Sequence, residues 1–135
     1  MALLELPERA RHRSLADPDM ALAAVGDLLT LRDRANNSAL MILCDESGRA
    51  REHVVLHEID WNLPTAGRAR VFWLLAGLGY PQVVVAMSSR RPVSFSATRR
   101  WRHTADVVCT KFDVEILGFY CADLAHVWQP APEAA

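Results

Sequence analysis

The strongest fold signal in this sequence lies at residues 82–111, which read QVVVAMSSRRPVSFSATRRWRHTADVVCTK. This stretch opens with an apolar run at residues 83–86, which is too short for a helix and rich in β-branched side chains, so it predicts a buried strand. Ser96 is the predicted N-cap of a following helix, whose apolar side holds Trp101, Ala105, Val108 and Phe112. Open α/β folds place their chemistry where such a strand enters a loop before a helix, so we expect the functional site at this junction.

The composition of the 135-residue chain is typical of one soluble domain, since 51% of its residues are hydrophobic and 23% are charged. A net charge of −1 predicts no overall attraction to nucleic acid or to an anionic membrane, so either role requires a local patch. Cys44, Cys109 and Cys121 form no C-x-x-C pair and indicate buried thiols in a reducing cytoplasm. No apolar run approaches the roughly 18 residues of a membrane span, so we expect a cytoplasmic protein without membrane association.

Hydrophobic periodicity and turn residues predict alternating helices and strands along the chain. Asp17 is the predicted N-cap of the first helix, with Pro18 at its first position. We predict the elements in this order: a helix from Asp17 to the pair Asn36 and Asn37, strands at residues 39–44 and 51–59, a connection at 60–64 into a helix that runs through Gly79, a strand at 82–86, a helix at 96–111, and strands at 114–121 and 124–128. The turn at residues 45–48 makes the first two strands a hairpin.

This order predicts the α/β fold class, with a mixed sheet covered by helices on both faces in a three-layer α-β-α structure. The crossovers through the second and third helices are expected to be right-handed. One domain spans residues 17–128. Residues 1–16 form a predicted N-terminal arm, and residues 129–135 form a Pro/Ala tail that we expect to be disordered.

A basic run is the first candidate site. It comprises Arg90, Arg91, Arg99, Arg100, Arg102 and His103. Three of the arginines lie near the start of the predicted helix, and guanidinium groups match phosphate and carboxylate geometry, so the run predicts an anion or nucleic-acid site. The alternative is a solvated polar face on the opposite side of the helix from its apolar stripe. One run of charge does not decide between them.

Metal and nucleophile motifs give weaker signals. His53 and His57 are predicted on one strand face about 13 Å apart, too far to share a metal whose bonds to nitrogen are about 2 Å long. The loop contains Ser88, Ser89, Ser94 and Ser96 but no nucleophile-elbow motif. No glycine-rich phosphate loop occurs, and we expect no cofactor.

Four segments carry a resemblance to a known family. They are VVLHE at residues 54–58, VVVA at 83–86, SATR at 96–99 and DVEIL at 113–117. In this order they resemble the glutamate-bearing strand, the apolar strand, the serine-led helix start and a later strand of the RadC-type branch of JAB/MPN metalloprotease-like domains. The resemblance runs from about residue 39 to 128 and implies the JAB/MPN form of the cytidine-deaminase-like architecture.

The resemblance also implies that this chain lacks the family's catalytic centre. In that centre two histidines and an aspartate hold zinc, and a glutamate is the general base. Met87 and Ser89 occupy the histidine positions, and Thr98 or Arg99 occupies the aspartate position. A thioether and a hydroxyl are poor replacements for imidazole, and an arginine repels Zn²⁺. The implied result is a degenerate pocket without a metal, comprising Glu58, Met87, Ser89, Ser96 and Thr98.

Three functional hypotheses follow. The resemblance implies a non-catalytic interaction module that pairs with a partner protein or with a second copy of itself, with Trp61 and Tyr80 as anchors or as core packing. The second hypothesis is nucleic-acid or anion binding through the basic run at residues 90–103. The third is an enzyme with a relocated site, which uses Glu58 and loop serines or a metal held by some of the five histidines.

Overall fold

The computed structural model describes residues 2–4 and 13–130. Within these residues the chain forms six strands and four helices, which confirms the predicted α/β class. In chain order they are β1 (Ala2–Leu4), α1 (Pro18–Leu28), α2 (Leu31–Ala35), β2 (Ala39–Cys44), β3 (Ala50–Leu56), α3 (Thr65–Ala76), β4 (Gln82–Ser88), α4 (Phe95–Lys111), β5 (Glu115–Ala122) and β6 (Val127–Trp128).

The strands form one mixed sheet in the order β1-β3-β2-β4-β5-β6. Strands β4 and β5 are parallel, and the other neighbouring pairs of described strands are antiparallel. Helix α4 connects the parallel pair, because parallel neighbours need a long crossover. The predicted hairpin is confirmed as β2 and β3, with Asp45 Oδ1 accepting the Ser47 and Arg49 N–H groups in the turn.

Strand β2 is buried on both faces. Its residues Leu40 and Ile42 pack with α1 in one apolar cluster, whereas Met41 and Leu43 pack with α3 and α4 in another. Because successive side chains of a strand point to opposite faces, these two clusters lie on opposite faces of the sheet. Helices therefore cover both faces. Burial on both sides explains why β2 is a continuous apolar run rather than an alternating one.

The predicted first helix is two helices. Asp17 is the N-cap of α1, as predicted, but a second helix begins after Thr30. Thr30 Oγ1 accepts the Asp33 N–H at 3.1 Å, and Asp33 Oδ2 accepts the Thr30 N–H at 3.0 Å. This reciprocal capping box ends one helix and starts the next, so the prediction of one helix as far as Asn36 and Asn37 was wrong.

The N-cap of helix α4 lies two residues before the predicted N-cap, and the helix begins at Phe95. Ser94 is the N-cap, and its hydroxyl accepts the Ala97 N–H at 3.2 Å. Ser96 lies inside the helix and is exposed, so its prediction as N-cap was wrong. Phe112 was predicted on the apolar side but is 40% exposed just beyond the last turn, whereas the other three residues of that side are buried.

Three predicted boundaries are also corrected. Strand β3 ends at Leu56 instead of residue 59, because the Glu58 N–H donates to Asn36 O and the chain turns toward the end of α2. Helix α3 ends at Ala76 instead of Gly79. The last strand is reduced to β6, because the Asp123 carboxylate accepts the N–H groups of residues 125 and 126 in a turn.

The predicted arm contributes one described strand. Ala2–Leu4 pair antiparallel with β3 at the edge of the sheet. Leu15 is buried in the cluster that contains α1. Residues 1 and 5–12 of the arm and residues 131–135 of the predicted tail lie outside the described residues.

Candidate functional site

Two tryptophans fix the junction between β4 and α4. Trp101 Nε1 donates to Trp61 O at 2.8 Å, and Trp61 Nε1 donates to Ser88 O at the end of β4 at 3.1 Å. Their rings meet edge to face with centroids 5.0 Å apart. Trp61 is therefore core packing rather than an interface anchor. Tyr80 is half-buried, and its hydroxyl donates to Glu52 Oε2.

Helices α3 and α4 lie side by side on one face of the sheet and border a shallow cleft of about 390 Å³. Its lining comprises Arg68, Ser96, Arg99, Arg100 and His103. Ser96, Arg100 and His103 are separated by four and three residues, so they lie along one side of α4. Arg68 lies across from them on α3. The fold thus brings half of the predicted basic run into one concave site.

Arg68 is a buried charge at this cleft, with 8% of its surface exposed. Its Nε donates to Thr104 Oγ1 at 3.0 Å, Nη1 to Leu63 O at 2.7 Å and Nη2 to Thr65 Oγ1 at 3.1 Å. All three acceptors are neutral. A guanidinium has five N–H donors, so two remain after these bonds. The described lining of the cleft contains no carboxylate that would neutralise the charge.

The cleft lies on a strongly basic layer. Six arginines and lysines occur on α3 and α4, against one acidic residue, Asp106. On the other face of the sheet, α1 carries Asp19 and Asp27 and no basic residue. The net charge of −1 therefore conceals an excess of five positive charges on α3 and α4, whereas α1 and α2 together carry three aspartates and two arginines. A local positive potential attracts anions even when the whole protein is nearly neutral.

Exposed aromatic rings are interleaved with these cations. Phe95 is 64% exposed, and Arg99 Cζ lies 5.7 Å from its ring centroid. Trp73 is 52% exposed and meets Phe112 edge to face at 6.0 Å. Lys111 Nζ lies 5.4 Å from the centroid of the Trp73 ring. Rings exposed in this way present surfaces on which a planar ligand could stack.

The rest of the predicted basic run is placed outside the cleft. Arg90 and Arg91 are exposed in the loop between β4 and α4. Arg102 is half-buried on α4 and does not line the cleft. These residues can add to the local field, but they do not converge with Arg68.

The residues predicted as a degenerate pocket have several different environments. Met87 is buried at the end of β4, beside its register partner Cys121 on β5, and Thr98 is buried on α4 with its hydroxyl donating to Ser94 O at 3.0 Å. Ser89 donates to Asn37 Oδ1 at 2.9 Å. The other two, Glu58 and Ser96, are exposed, with Ser96 at the basic cleft.

The two histidines predicted on one strand are separated by the end of β3. His53 is 4% exposed, its Nδ1 has no hydrogen-bond partner among the described atoms, and burial lowers its pKa. His57 lies after the strand, with its Nε2 2.9 Å from Asp33 Oδ1. Burial opposes ionisation of Asp33, but hydrogen bonds from His57 and Thr30 outweigh it and lower the pKa of Asp33. The described residues contain no group of three or more His, Cys, Asp or Glu that could hold a metal.

The three cysteines are buried, as predicted. Burial raises the pKa of Cys44 to about 12 and the pKa values of Cys109 and Cys121 to about 11. The reactive form of cysteine is the thiolate, so these thiols are poor nucleophiles at neutral pH.

Sequence reasoning did not identify Arg68 or Trp73 as site residues. One signal was available, because the sequence of α3 contains two arginines and no acidic residue. On α3 the structure buries Phe72 and leaves Trp73 exposed.

Comparisons of the chain with protein-family models, with curated proteins and with solved structures found no match. None of the described helices combines the length and the apolarity needed to cross a membrane. The residues of the cleft and the surrounding face are therefore the basis for a functional proposal.

Proposed function

We propose that the protein binds single-stranded nucleic acid across the outer face of α3 and α4. The observation that carries this proposal is the combination of a basic cleft with exposed aromatic rings on the same pair of helices. Proteins that bind single strands combine a positive groove, which follows the phosphates, with aromatic side chains, on which bases stack.

The arrangement of charge supports the phosphate-binding part of the proposal. The cleft provides Arg68, Arg100 and His103 near the first turns of α4, and Lys111 lies at its last turn. The rise of a helix places Arg100 and Lys111 about 16 Å apart along the axis. Cations spaced over this distance can contact more than one phosphate of a strand. Each such contact releases counterions from the nucleic acid, so binding weakens as the salt concentration rises.

The exposed rings favour a single strand over a duplex. Bases in a duplex are stacked on one another, whereas bases in a single strand offer their faces to Phe, Tyr and Trp. Phe95 lies at the start of α4, and the Trp73–Phe112 pair lies near the ends of both helices. Rings near both ends of the face could therefore each receive a base from the same strand.

A binding role is compatible with the non-catalytic role implied by the resemblance to RadC-type JAB/MPN domains. From β2 onward the described elements are a hairpin, a helix, a strand, a helix and two strands, an order that is compatible with the resemblance. At the positions that the resemblance aligns with the metal ligands stand Met87, Ser89 and either Thr98 or Arg99, and none of these side chains is a good zinc ligand.

Fluorescence anisotropy with a labelled single strand of about twelve nucleotides tests the proposal. We expect binding at low salt that weakens steeply as salt rises. Changing Arg99→Ala together with Arg100→Ala should weaken binding and reduce the salt slope by about 1.4. The matched control is Arg49→Ala with Arg51→Ala, which removes the same charge from exposed positions on the hairpin and should bind like the unchanged protein.

A second pair of variants separates stacking from simple charge attraction. Trp73 and Leu74 are adjacent exposed residues on α3, but only the tryptophan can stack on a base. Trp73→Ala should weaken oligonucleotide binding about tenfold, whereas Leu74→Ala should change it little. Unchanged binding by the double arginine variant, or no binding at low salt, would refute the nucleic-acid proposal.

One observation favours a second candidate function, protein interaction. Trp73, Leu74, Leu78 and Phe112 are large apolar side chains with 40–62% of their surface exposed near the ends of α3 and α4. Basic residues flank them, so the partner that fits is a protein segment with apolar side chains and neighbouring carboxylates. Such a segment would depend on Leu74 as strongly as on Trp73, which distinguishes it from a stacked strand.

A further inference from the structure

The cleft between α3 and α4 differs from the rest of the basic face because it contains a buried charge. Arg68 is 92% buried, and the three acceptors of its hydrogen bonds are neutral. Burying a cation without a counter-charge is unfavourable, so an anion that enters the cleft gains more from Arg68 than from an exposed arginine. The two remaining N–H donors of this guanidinium are suited to oxygen atoms of such an anion.

The opposite wall of the cleft supplies further donors. Ser96, Arg100 and His103 lie one above the other along α4 and face Arg68 across the cleft. The hydroxyl donates one hydrogen bond, the guanidinium donates up to five, and the imidazole donates one or two according to its protonation state. Of these residues, Ser96 lies in the first turn of α4, where the positive end of the helix dipole also favours an anion. Donors from two helices thus converge on one small volume.

We propose that this cleft holds the terminal phosphate of a bound strand, an inference that rests on the proposed nucleic-acid binding. A terminal phosphate carries close to two negative charges at neutral pH, because its second pKa is about 6, whereas a phosphate within the strand carries one. It also presents three free oxygens to the donors on the two walls of the cleft. A phosphate within the strand has two ester bonds and therefore only two free oxygens for these donors.

The test compares three oligonucleotides of one sequence: with hydroxyls at both ends, with a 5′-phosphate, and with a 3′-phosphate. At least one phosphorylated form should bind about tenfold more tightly than the hydroxyl form, which corresponds to one additional charge-assisted hydrogen bond. Arg100→Gln should remove this preference, and Ser96→Ala should reduce it. The matched control is Arg91→Gln, an exposed arginine outside the cleft, which should lower all three affinities similarly and retain the preference.

Inorganic phosphate provides a second readout. At constant ionic strength it should compete with the phosphorylated strands until their advantage disappears, while it leaves binding of the hydroxyl strand nearly unchanged. Equal binding of all three strands, or equal competition against all of them, would overturn the terminal-phosphate site and leave the proposed function intact. If no strand binds at low salt, both proposals fail. A preference that survives in Arg100→Gln would place the phosphate elsewhere and refute this site.

Discussion

Replacing Arg34 with methionine is expected to destabilise the fold by about 3 kcal/mol. Arg34 is 8% exposed and connects three backbone carbonyls. Its Nε donates to Leu29 O at 2.9 Å, Nη2 to Gly26 O at 3.0 Å and Nη1 to Asp123 O at 3.2 Å. The first two carbonyls belong to the end of α1, and the third belongs to the turn between β5 and β6. The side chain therefore joins one helical layer to the edge of the sheet.

The magnitude follows from two opposing terms. Hydrogen bonds that involve a charged group contribute about 1.5–3 kcal/mol each, and methionine leaves three carbonyls without this donor. Removing a buried charge also removes its desolvation penalty, which offsets part of the loss. Water can reach some of the carbonyls, since two of the three bonds are only partly buried. A net loss of about 3 kcal/mol is consistent with these terms.

Urea denaturation at neutral pH measures this loss. With an m-value of about 1.5 kcal/mol/M, the midpoint of Arg34→Met should fall by about 2 M. Arg32→Met is the matched control, because Arg32 lies on the same short helix but is exposed, and its midpoint should change little. If the two variants differ by less than about 0.5 kcal/mol, the carbonyl-bridging role of Arg34 is wrong.

Two further predictions concern a helix cap and a buried histidine. Ser94→Ala should lower the free energy of unfolding, measured by urea denaturation, by about 1 kcal/mol because it removes the cap of α4. Ser96→Ala is the control and should have almost no effect. Equal effects of the two substitutions would contradict the assignment of Ser94 as the cap. Burial lowers the pKa of His53 in the folded protein. As the pH falls from about 7 to about 5, the His53 imidazole therefore takes up a proton more readily in the unfolded chain than in the folded chain. Because protonation favours the unfolded chain, the free energy of unfolding falls over this pH range. Urea midpoints at the two pH values should therefore differ less in His53→Leu than in the unchanged protein, and an equal difference would exclude His53 as the source.

Local signals in the sequence were sufficient for the main elements. The Asp17–Pro18 pair predicted the start of α1, and the apolar run at residues 83–86 predicted the centre of β4. The error in the first helix concerned a signal that was also local, because Thr30 and Asp33 have the spacing of a capping box. The error at the end of β3 had no local signal in the sequence. The strand ends because the Glu58 N–H donates to Asn36 O, and this contact depends on the position of α2.

The basic residues were visible in the sequence, but their convergence into a cleft was not. The sequence identified the run that contains Arg99, Arg100 and His103, but it did not decide whether these residues form a site or a solvated face. Their convergence depends on α3, which supplies Arg68 and borders the cleft. An arginine in the first turns of an isolated helix is ordinarily solvated, so only packing against α4 made Arg68 a buried charge.

The amino-acid sequence by itself determined the α/β class, the hairpin, the apolar strand at the centre and the presence of a basic segment. These features depend on side-chain periodicity and on hydrogen bonds that close within a few residues. The tertiary structure alone decided that Arg68 meets Thr104, 36 residues later, and that Trp73 rather than Phe72 remains exposed. Such contacts follow from how two helices rotate and pack on the sheet, and that rotation is set by the whole core rather than by neighbouring residues.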